Sequence, residues 1–310
     1  MRSILKYVSD YFAEQNKIGY WIFVVIMLAL GLAFNYSVDF ENSILDSYYG
    51  TYKHYLFSFL LYFFVWSVMV LAYIFWYKRR DLLTNKSFWA LGVFAFAVLG
   101  LSAGTHWHLY FIENYVPPQM QFLVRKCTIN LLRAAIYFLP IALYWWFAAR
   151  KTQPLYGFNS PIFNAKPYWL MLAIMLPLIV AASFLPDFQA AYPRYRDVGA
   201  AEYLGYNIWT IQCFFESCYG INFVFLEFFF RGFLVLAFAR YMGQGAIVPM
   251  ITVYCVLHFG KPLGEAIGSI FGGLILGIVA YRTQSIWGGI IVHLGVAYLM
   301  EFAAFLQQQY

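Results

Sequence analysis

Six ionisable side chains stand in apolar surroundings after residue 205: Glu216, Glu227, Arg231, His258, His293 and Glu301. Glu227 and Arg231 are four apart in Phe225-Leu226-Glu227-Phe228-Phe229-Phe230-Arg231-Gly232. On a helix that spacing puts both on one face, with the acid N-terminal to the base in the favoured order. The pair reads in two ways. It is either a self-neutralised ion pair, or a carboxylate held by an arginine with one oxygen left for a water or a proton. His258 follows in Val253-Tyr254-Cys255-Val256-Leu257-His258, with Tyr254 one turn before it. His293 lies in Ile290-Ile291-Val292-His293-Leu294, and Glu301 two turns further along the same stripe. A carboxylate with a nearby histidine can serve as general base and then acid. A second histidine can donate to a developing oxyanion. The same Glu227, His258 and His293 could instead ligate zinc, although no His-Glu-x-x-His helix is present. A buried proton relay of a transporter is a third use for such groups.

The elements that must position these residues are membrane helices. Of 310 residues, 63% are apolar, 23% aromatic and only 11% charged. Soluble domains carry about 25% charged residues, so lipid is the solvent for most of this surface. Apolar runs fall at Ile18–Phe34, Tyr55–Tyr77, Phe88–Ala103, Asn130–Ala149, Tyr168–Leu185, Tyr206–Arg240, Ala246–Phe259, Glu265–Tyr281 and Ile286–Leu306. A crossing takes about 20 residues. The fold class expected is all-α: a polytopic transmembrane bundle of eight or nine spans. Residues 1–205 supply N-terminal helices without a motif, and residues 206–310 a four-helix catalytic-like core in the same membrane domain. The run from Tyr206 to Arg240 would exceed the bilayer, so either a break near Gly220-Ile221-Asn222 or a first half lying in the interface is expected.

An ionisable residue within a span costs at least about 2.5 kcal/mol, which makes each one a candidate for function. Between the two C-terminal histidines lie two small-xxx-small registers, Gly268/Gly272 and Gly273/Gly277. Such faces allow close helix approach and would bring the histidine-bearing helices together.

The net charge of +6 sits in scattered loop residues and sets topology rather than nucleic-acid binding. Lys78-Arg79-Arg80, Lys86, Arg150-Lys151, Lys166, Arg240 and Arg282 fall on one side with the N-terminus. Asp39, Glu41, Asp46, Glu113, Asp187, Asp197 and Glu202 fall on the other. The positive-inside rule then makes the N-terminus cytoplasmic, in an inner membrane if the source is a bacterium. The stretch after Lys17 lacks a small-residue cleavage site and reads as the first membrane helix. The four cysteines form no CxxC pair and read as apolar fillers. His106-Trp107-His108 with Glu113 is a weaker metal-site candidate in an external loop.

Leu226-Glu227-x-x-x-Arg231-Gly232, then Tyr254-x-x-x-His258, then Thr283-Gln284-Ser285-Ile286-Trp287 leading to His293, resembles the CPBP family of CaaX protease and bacteriocin-processing intramembrane endopeptidases. The family pattern is Glu-Glu-x-x-x-Arg, Phe-x-x-x-His and His-x-x-x-Asn/Asp, and the resemblance covers about residues 222–301. It implies an intramembrane endopeptidase in which Glu227 and His258 act as base and acid, His293 as oxyanion donor and Arg231 as the residue that orients Glu227. The sequence departs from the pattern twice, with Leu226 for the first Glu and Ala297 for the Asn/Asp. Glu301 and Glu216 are candidates to compensate. The expected chemistry is peptide hydrolysis by a Glu/His-activated water with no obligatory metal. The alternative metal reading places zinc on Glu227, His258 and His293. The expected partners are membrane lipid and a membrane-associated or prenylated peptide. The alternative function is a catalytically degenerate member that binds a membrane partner as an immunity or scaffolding protein.

Overall fold

A computed structural model describes residues 2–158 and 164–308. The described residues form helices and connecting turns. An amphipathic helix α1 (Arg2–Glu14) leads into the apolar α2 (Ile18–Val38), α3 (Tyr52–Tyr77) and α4 (Lys86–Gly104). A short α5 (His108–Tyr115) precedes α6 (Pro118–Tyr144) and α7 (Lys166–Ala182). Two single-turn helices, α8 (Pro186–Ala191) and α9 (Ala200–Leu204), lie in the segment before α10 (Ile208–Glu227). The chain continues through α11 (Phe238–Met242), α12 (Ile247–Val256), α13 (Leu263–Thr283) and α14 (Trp287–Gln308). Local chemistry marks the starts. Asn85 and Asn207 accept side-chain caps from Phe88 and Trp209 amides, and Pro118 takes the first turn of α6, where its missing N–H costs nothing.

Among the described residues, seven helical stretches are long and apolar enough to cross a membrane, against the eight or nine expected. Two features account for the difference. The helix at Tyr168–Leu185 is shortened to Lys166–Ala182, and the runs Tyr206–Arg240 and Ala246–Phe259 merge into one 49-residue stretch, Ile208–Val256. That stretch folds back on itself. Gly243 has φ +57°, a left-handed conformation that glycine adopts without steric cost, and a 3-10 turn at Gly243–Ala246 completes the reversal. Phe230 then packs edge-on against Tyr254 at 5.0 Å between ring centroids.

The expected break at Gly220-Ile221-Asn222 does not occur: α10 runs unbroken to Glu227. The irregularity comes later, as a π-helical segment at Phe228–Ala237. π turns inside helices are rare and gather at functional sites. Every residue of this segment is buried, as is every residue of α12, so the hairpin forms the axis of the bundle. Large apolar side chains such as Ile22, Val25, Leu30, Phe64, Phe75 and Phe147 point outward, as expected where lipid replaces water.

Connections alternate between two ends. At one end Arg282 pairs with Glu14, Gln244 donates to Glu14 at 2.8 Å and Arg79 donates to the Tyr241 carbonyl at 2.8 Å. At the other, Asn35 donates to the Phe259 carbonyl at 3.0 Å and Tyr36 to that of Lys261 at 2.7 Å.

The glycine registers divide. A Cβ on Gly273 would press on Tyr254 at 3.3 Å, and one on Gly277 on Met250 and Ile247 at 3.0 and 3.1 Å. Gly268 and Gly272 face open space. Only the second register seats α13 on α12; the expectation that both would do so is corrected.

Candidate active site

Glu227 closes α10, Arg231 lies in the π segment, Tyr254 on α12, His258 in the turn just after it, and His293 on α14. The hairpin and α14 bring these five together. Arg231 Nη1 lies 2.8 Å from Glu227 Oε1, with both side chains buried. His293 Nδ1 lies 2.7 Å from the same oxygen. Tyr254 Oη is 3.1 Å from His293 Nε2, and the Arg231 guanidinium stacks 4.4 Å over the Tyr254 ring. His258 Nδ1 is 2.7 Å from the Tyr254 carbonyl oxygen, and its ring packs against that of Tyr254 at 4.5 Å. Phe223 walls the far side of His293 at 4.6 Å between centroids.

Hydrogen-bond logic assigns the imidazole protons. A carbonyl or carboxylate oxygen only accepts. Nδ1 of His258, facing a carbonyl, therefore carries a proton, and so does Nδ1 of His293, facing Glu227. In the neutral rings both Nε2 atoms are left as acceptors. For His293 that acceptor meets the Tyr254 hydroxyl, which donates. Burial pushes the His258 imidazole down to about 4, which keeps it neutral at neutral pH and weakens it as a base.

Glu227 Oε2 is buried with no hydrogen-bond partner among the described residues. A Cβ on Gly289 would collide with it, so the glycine lets α14 approach the carboxylate closely enough for His293 to reach Oε1.

The other predicted residues lie elsewhere. Both carboxylate oxygens of Glu301 accept the Arg194 backbone N–H, at 3.0 and 2.9 Å, so Glu301 anchors the segment between α8 and α9. Glu216 accepts from Gln212 at 2.8 Å, while its carbonyl receives the Tyr298 hydroxyl at 2.9 Å. Neither is tied to the Glu227–His293 pair by a hydrogen bond. Ala297, where the family pattern has Asn or Asp, packs in an apolar cluster with Cys127, Cys218 and Tyr219. Leu226 is partly buried against the central core.

No group of three or more His, Cys, Asp or Glu side chains in metal-binding arrangement occurs among the described residues. Glu227, His258 and His293 therefore form no ready-made ligand set: Glu227 Oε1 is shared by Arg231 and His293, and His258 turns its Nδ1 to a backbone carbonyl. Of the pair His106 and His108, His106 Nδ1 meets the Gly104 carbonyl at 2.7 Å, whereas His108 is buried with neither ring nitrogen partnered.

The residue missed at the level of sequence is Gly289, whose role depends on the approach of Glu227, 62 positions away by numbering.

A family model described as Type II CAAX prenyl endopeptidase Rce1-like matches residues 214–299. The matched region is a CAAX-protease-like segment and holds Glu227, Arg231, Tyr254, His258 and His293, in agreement with the resemblance read from the motifs. No curated protein and no solved structure matches the chain. With seven apolar helices of spanning length, the chain is an integral membrane protein.

Proposed function

We propose that the protein is an intramembrane endopeptidase that hydrolyses a peptide bond of a membrane-associated or prenylated substrate with a Glu/His-activated water. The observation that carries this reading is the buried Arg231–Glu227–His293 chain. A carboxylate fixed by an arginine orients an imidazole and can stabilise the imidazolium that forms when that ring takes a proton.

In the proposed reaction a water attacks the scissile carbonyl while His293 or His258 takes its proton at Nε2. The C–O bond forms and the carbonyl oxygen becomes an oxyanion. Glu227 stabilises the charge when His293 is the acceptor, and Arg231 holds Glu227 in place. The Tyr254 hydroxyl, 3.1 Å from His293 Nε2, turns from His293 to the oxyanion. The imidazolium then returns its proton to the leaving amine as the C–N bond breaks, and two termini result. No step is assigned to Glu301 or Glu216.

The degenerate, partner-binding reading rests on two specific residues. Leu226 and Ala297 remove a carboxylate and an amide or acid that the family pattern includes. The experiment is reconstitution of the full chain in lipid vesicles with prenylated and unprenylated membrane peptides. New termini that appear with the intact protein and not with His293→Ala support the peptidase. Stable peptide binding without cleavage supports the degenerate reading. A pH-gradient-driven flux without cleavage would support a transporter.

A further inference from the structure

Arg194 and Arg196 line a cavity of about 430 Å³ between the start of α6 and the segment that joins α8 to α9. Phe122, Gln189, Ala190, Pro193 and Val198 form the rest of its walls. The volume falls within the range of about 300–1,000 Å³ usual for small-molecule sites.

Neither arginine forms an ion pair with a described residue. Arg194 Nη1 donates to the Ala191 carbonyl at 3.5 Å, and Arg196 Nη2 to those of Gln189 and Tyr192 at 3.2 and 3.3 Å. These bonds hold the side chains against the backbone of α8 and leave most of the five N–H donors on each guanidinium unused. A third cation stands at the α6 wall. Lys126 Nζ lies 5.3 Å from the centroid of the Phe122 ring, and it too has no ion pair among the described residues. Phe122 stacks on Tyr195 at 5.6 Å between centroids, which holds the α6 wall against the arginine-bearing segment.

The acids of this region are committed elsewhere. Asp197 accepts the Tyr195 hydroxyl at 2.7 Å and the N–H groups of Gly199 and Ala201 at 3.2 and 3.3 Å. Asp187 accepts the Phe188 N–H at 2.9 Å, and Glu301 accepts the Arg194 backbone N–H. Glu202 is no part of the cavity walls. Three cations around one cavity repel one another, and an anion between them relieves that repulsion. Guanidinium forks match the oxygens of a phosphate.

The level of the cavity in the membrane selects the source of that phosphate. Asn222 donates to Asn130 at 3.1 Å and Tyr137 packs on Phe229 at 5.3 Å, so α6 and α10 run parallel and begin at the same end. Phe122 is one turn from the first residue of α6, about 6 Å along the helix. The cavity therefore lies where the spanning helices emerge, at the depth of lipid headgroups. Tyr203, Tyr206 and Trp209 are exposed on the chain between the cavity and α10, as in the aromatic belts of membrane interfaces.

We propose that this cavity binds the phosphate of an anionic lipid headgroup, with Arg194 and Arg196 donating to its oxygens and Lys126 adding charge from the α6 wall. A zwitterionic headgroup brings its own cation among these three and is disfavoured. No hydrogen bond or ion pair links the cavity to the Glu227–His293 pair, and its test requires no peptidase activity.

The experiment follows the thermal stability of the purified full chain in detergent, at fixed ionic strength, as phosphatidylglycerol, phosphatidylcholine or inorganic phosphate is titrated in. The wild type is stabilised by phosphatidylglycerol and not by phosphatidylcholine. An additional response to inorganic phosphate supports the site and makes free phosphate a sufficient ligand. Arg194→Gln and Arg196→Gln each weaken the apparent affinity for phosphatidylglycerol about tenfold, the equivalent of one charged hydrogen bond. Arg196 is exposed, so its replacement leaves the core intact and decides the matter if Arg194→Gln does not fold. Arg125→Gln is the control: this exposed arginine faces Glu113 at 3.5 Å and lies outside the cavity walls, and its loss leaves the affinity unchanged. Equal weakening by Arg125→Gln, unchanged affinity in Arg196→Gln, or no response of the wild type to phosphatidylglycerol overturns the site.

Discussion

Glu227 and His293 are 66 residues apart in sequence, yet Nδ1 of the histidine lies 2.7 Å from Oε1 of the carboxylate, in a spot from which Glu227 is wholly excluded from solvent. Arg231 completes the arrangement at 2.8 Å. Breaking a buried pair by removing one partner leaves an uncompensated charge and costs about 3–5 kcal/mol. Arg231→Met should therefore destabilise the protein by about that amount. The double variant Glu227→Gln/Arg231→Met should recover most of the loss. Denaturation of the wild type, Arg231→Met, Glu227→Gln and the double variant in matched detergent measures the coupling; strictly additive losses would contradict a tight buried pair.

Gly289 faces the unpartnered oxygen of that carboxylate. Gly289→Ala should force α14 and Glu227 apart, lengthening the contact between Glu227 and His293 and lowering peptide cleavage by about tenfold or more. The change adds one methyl and removes no polar group. Comparison of cleavage rate with thermal stability separates loss of geometry from loss of fold, and unaltered cleavage would mean that the close approach is unimportant.

His258 ties stability to pH with a definite sign. Its imidazole is lowered to about 4 by burial, below the unfolded value near 6.5. Between these values the unfolded chain binds more protons, so stability rises with pH through this window. The contribution is fully present above about pH 6.5 and is lost as pH falls toward 4. His258→Gln should flatten the stability profile between pH 4 and 6.5, as read from unfolding midpoints at intervals across that range. An unchanged slope would remove His258 as the source.

Glu301 is expected to act on the segment between α8 and α9 and not on chemistry. Glu301→Ala removes the acceptor of the Arg194 N–H and should cost about 1–3 kcal/mol, with more rapid hydrogen exchange across residues 186–204. Peptide cleavage per folded molecule should stay within about threefold of wild type. A loss as deep as that of His293→Ala would return Glu301 to the catalytic set.

Metal removal separates the two water-activation schemes. A water activated by Glu227, His293 and His258 should survive dialysis against a strong chelator with its rate unchanged. Loss of activity, restored by zinc, would replace that scheme with a metal-bound water.

The sequence alone made the membrane bundle legible, because nine apolar runs in a chain with so few charges have no other solvent. Glu227 with Arg231, His258 and His293 also stood out, since ionisable groups within apolar runs are costly enough to need a reason. The pairing among them did not. Helical spacing relates Glu227 to Arg231, but contacts between α10, α12 and α14 depend also on the π segment after Glu227, which has no local signature, whereas the turn at Gly243 falls in the gap between the runs Tyr206–Arg240 and Ala246–Phe259. The resemblance gives Glu227 and His258 as base and acid; in the fold the Glu227 carboxylate is hydrogen-bonded to His293 and the His258 ring to the Tyr254 carbonyl. Glycine spacing suggested two packing faces, and only the Gly273/Gly277 face meets a neighbour.

The most direct test of the peptidase compares peptide termini in membranes from cells carrying the intact protein, Glu227→Ala or His293→Ala, each accumulated to the same level. New termini present only with the intact protein are the predicted result, and their sequences would name the substrate class. Identical termini in all three membranes would contradict hydrolysis and leave Leu226 and Ala297 as the marks of a site that binds without cutting.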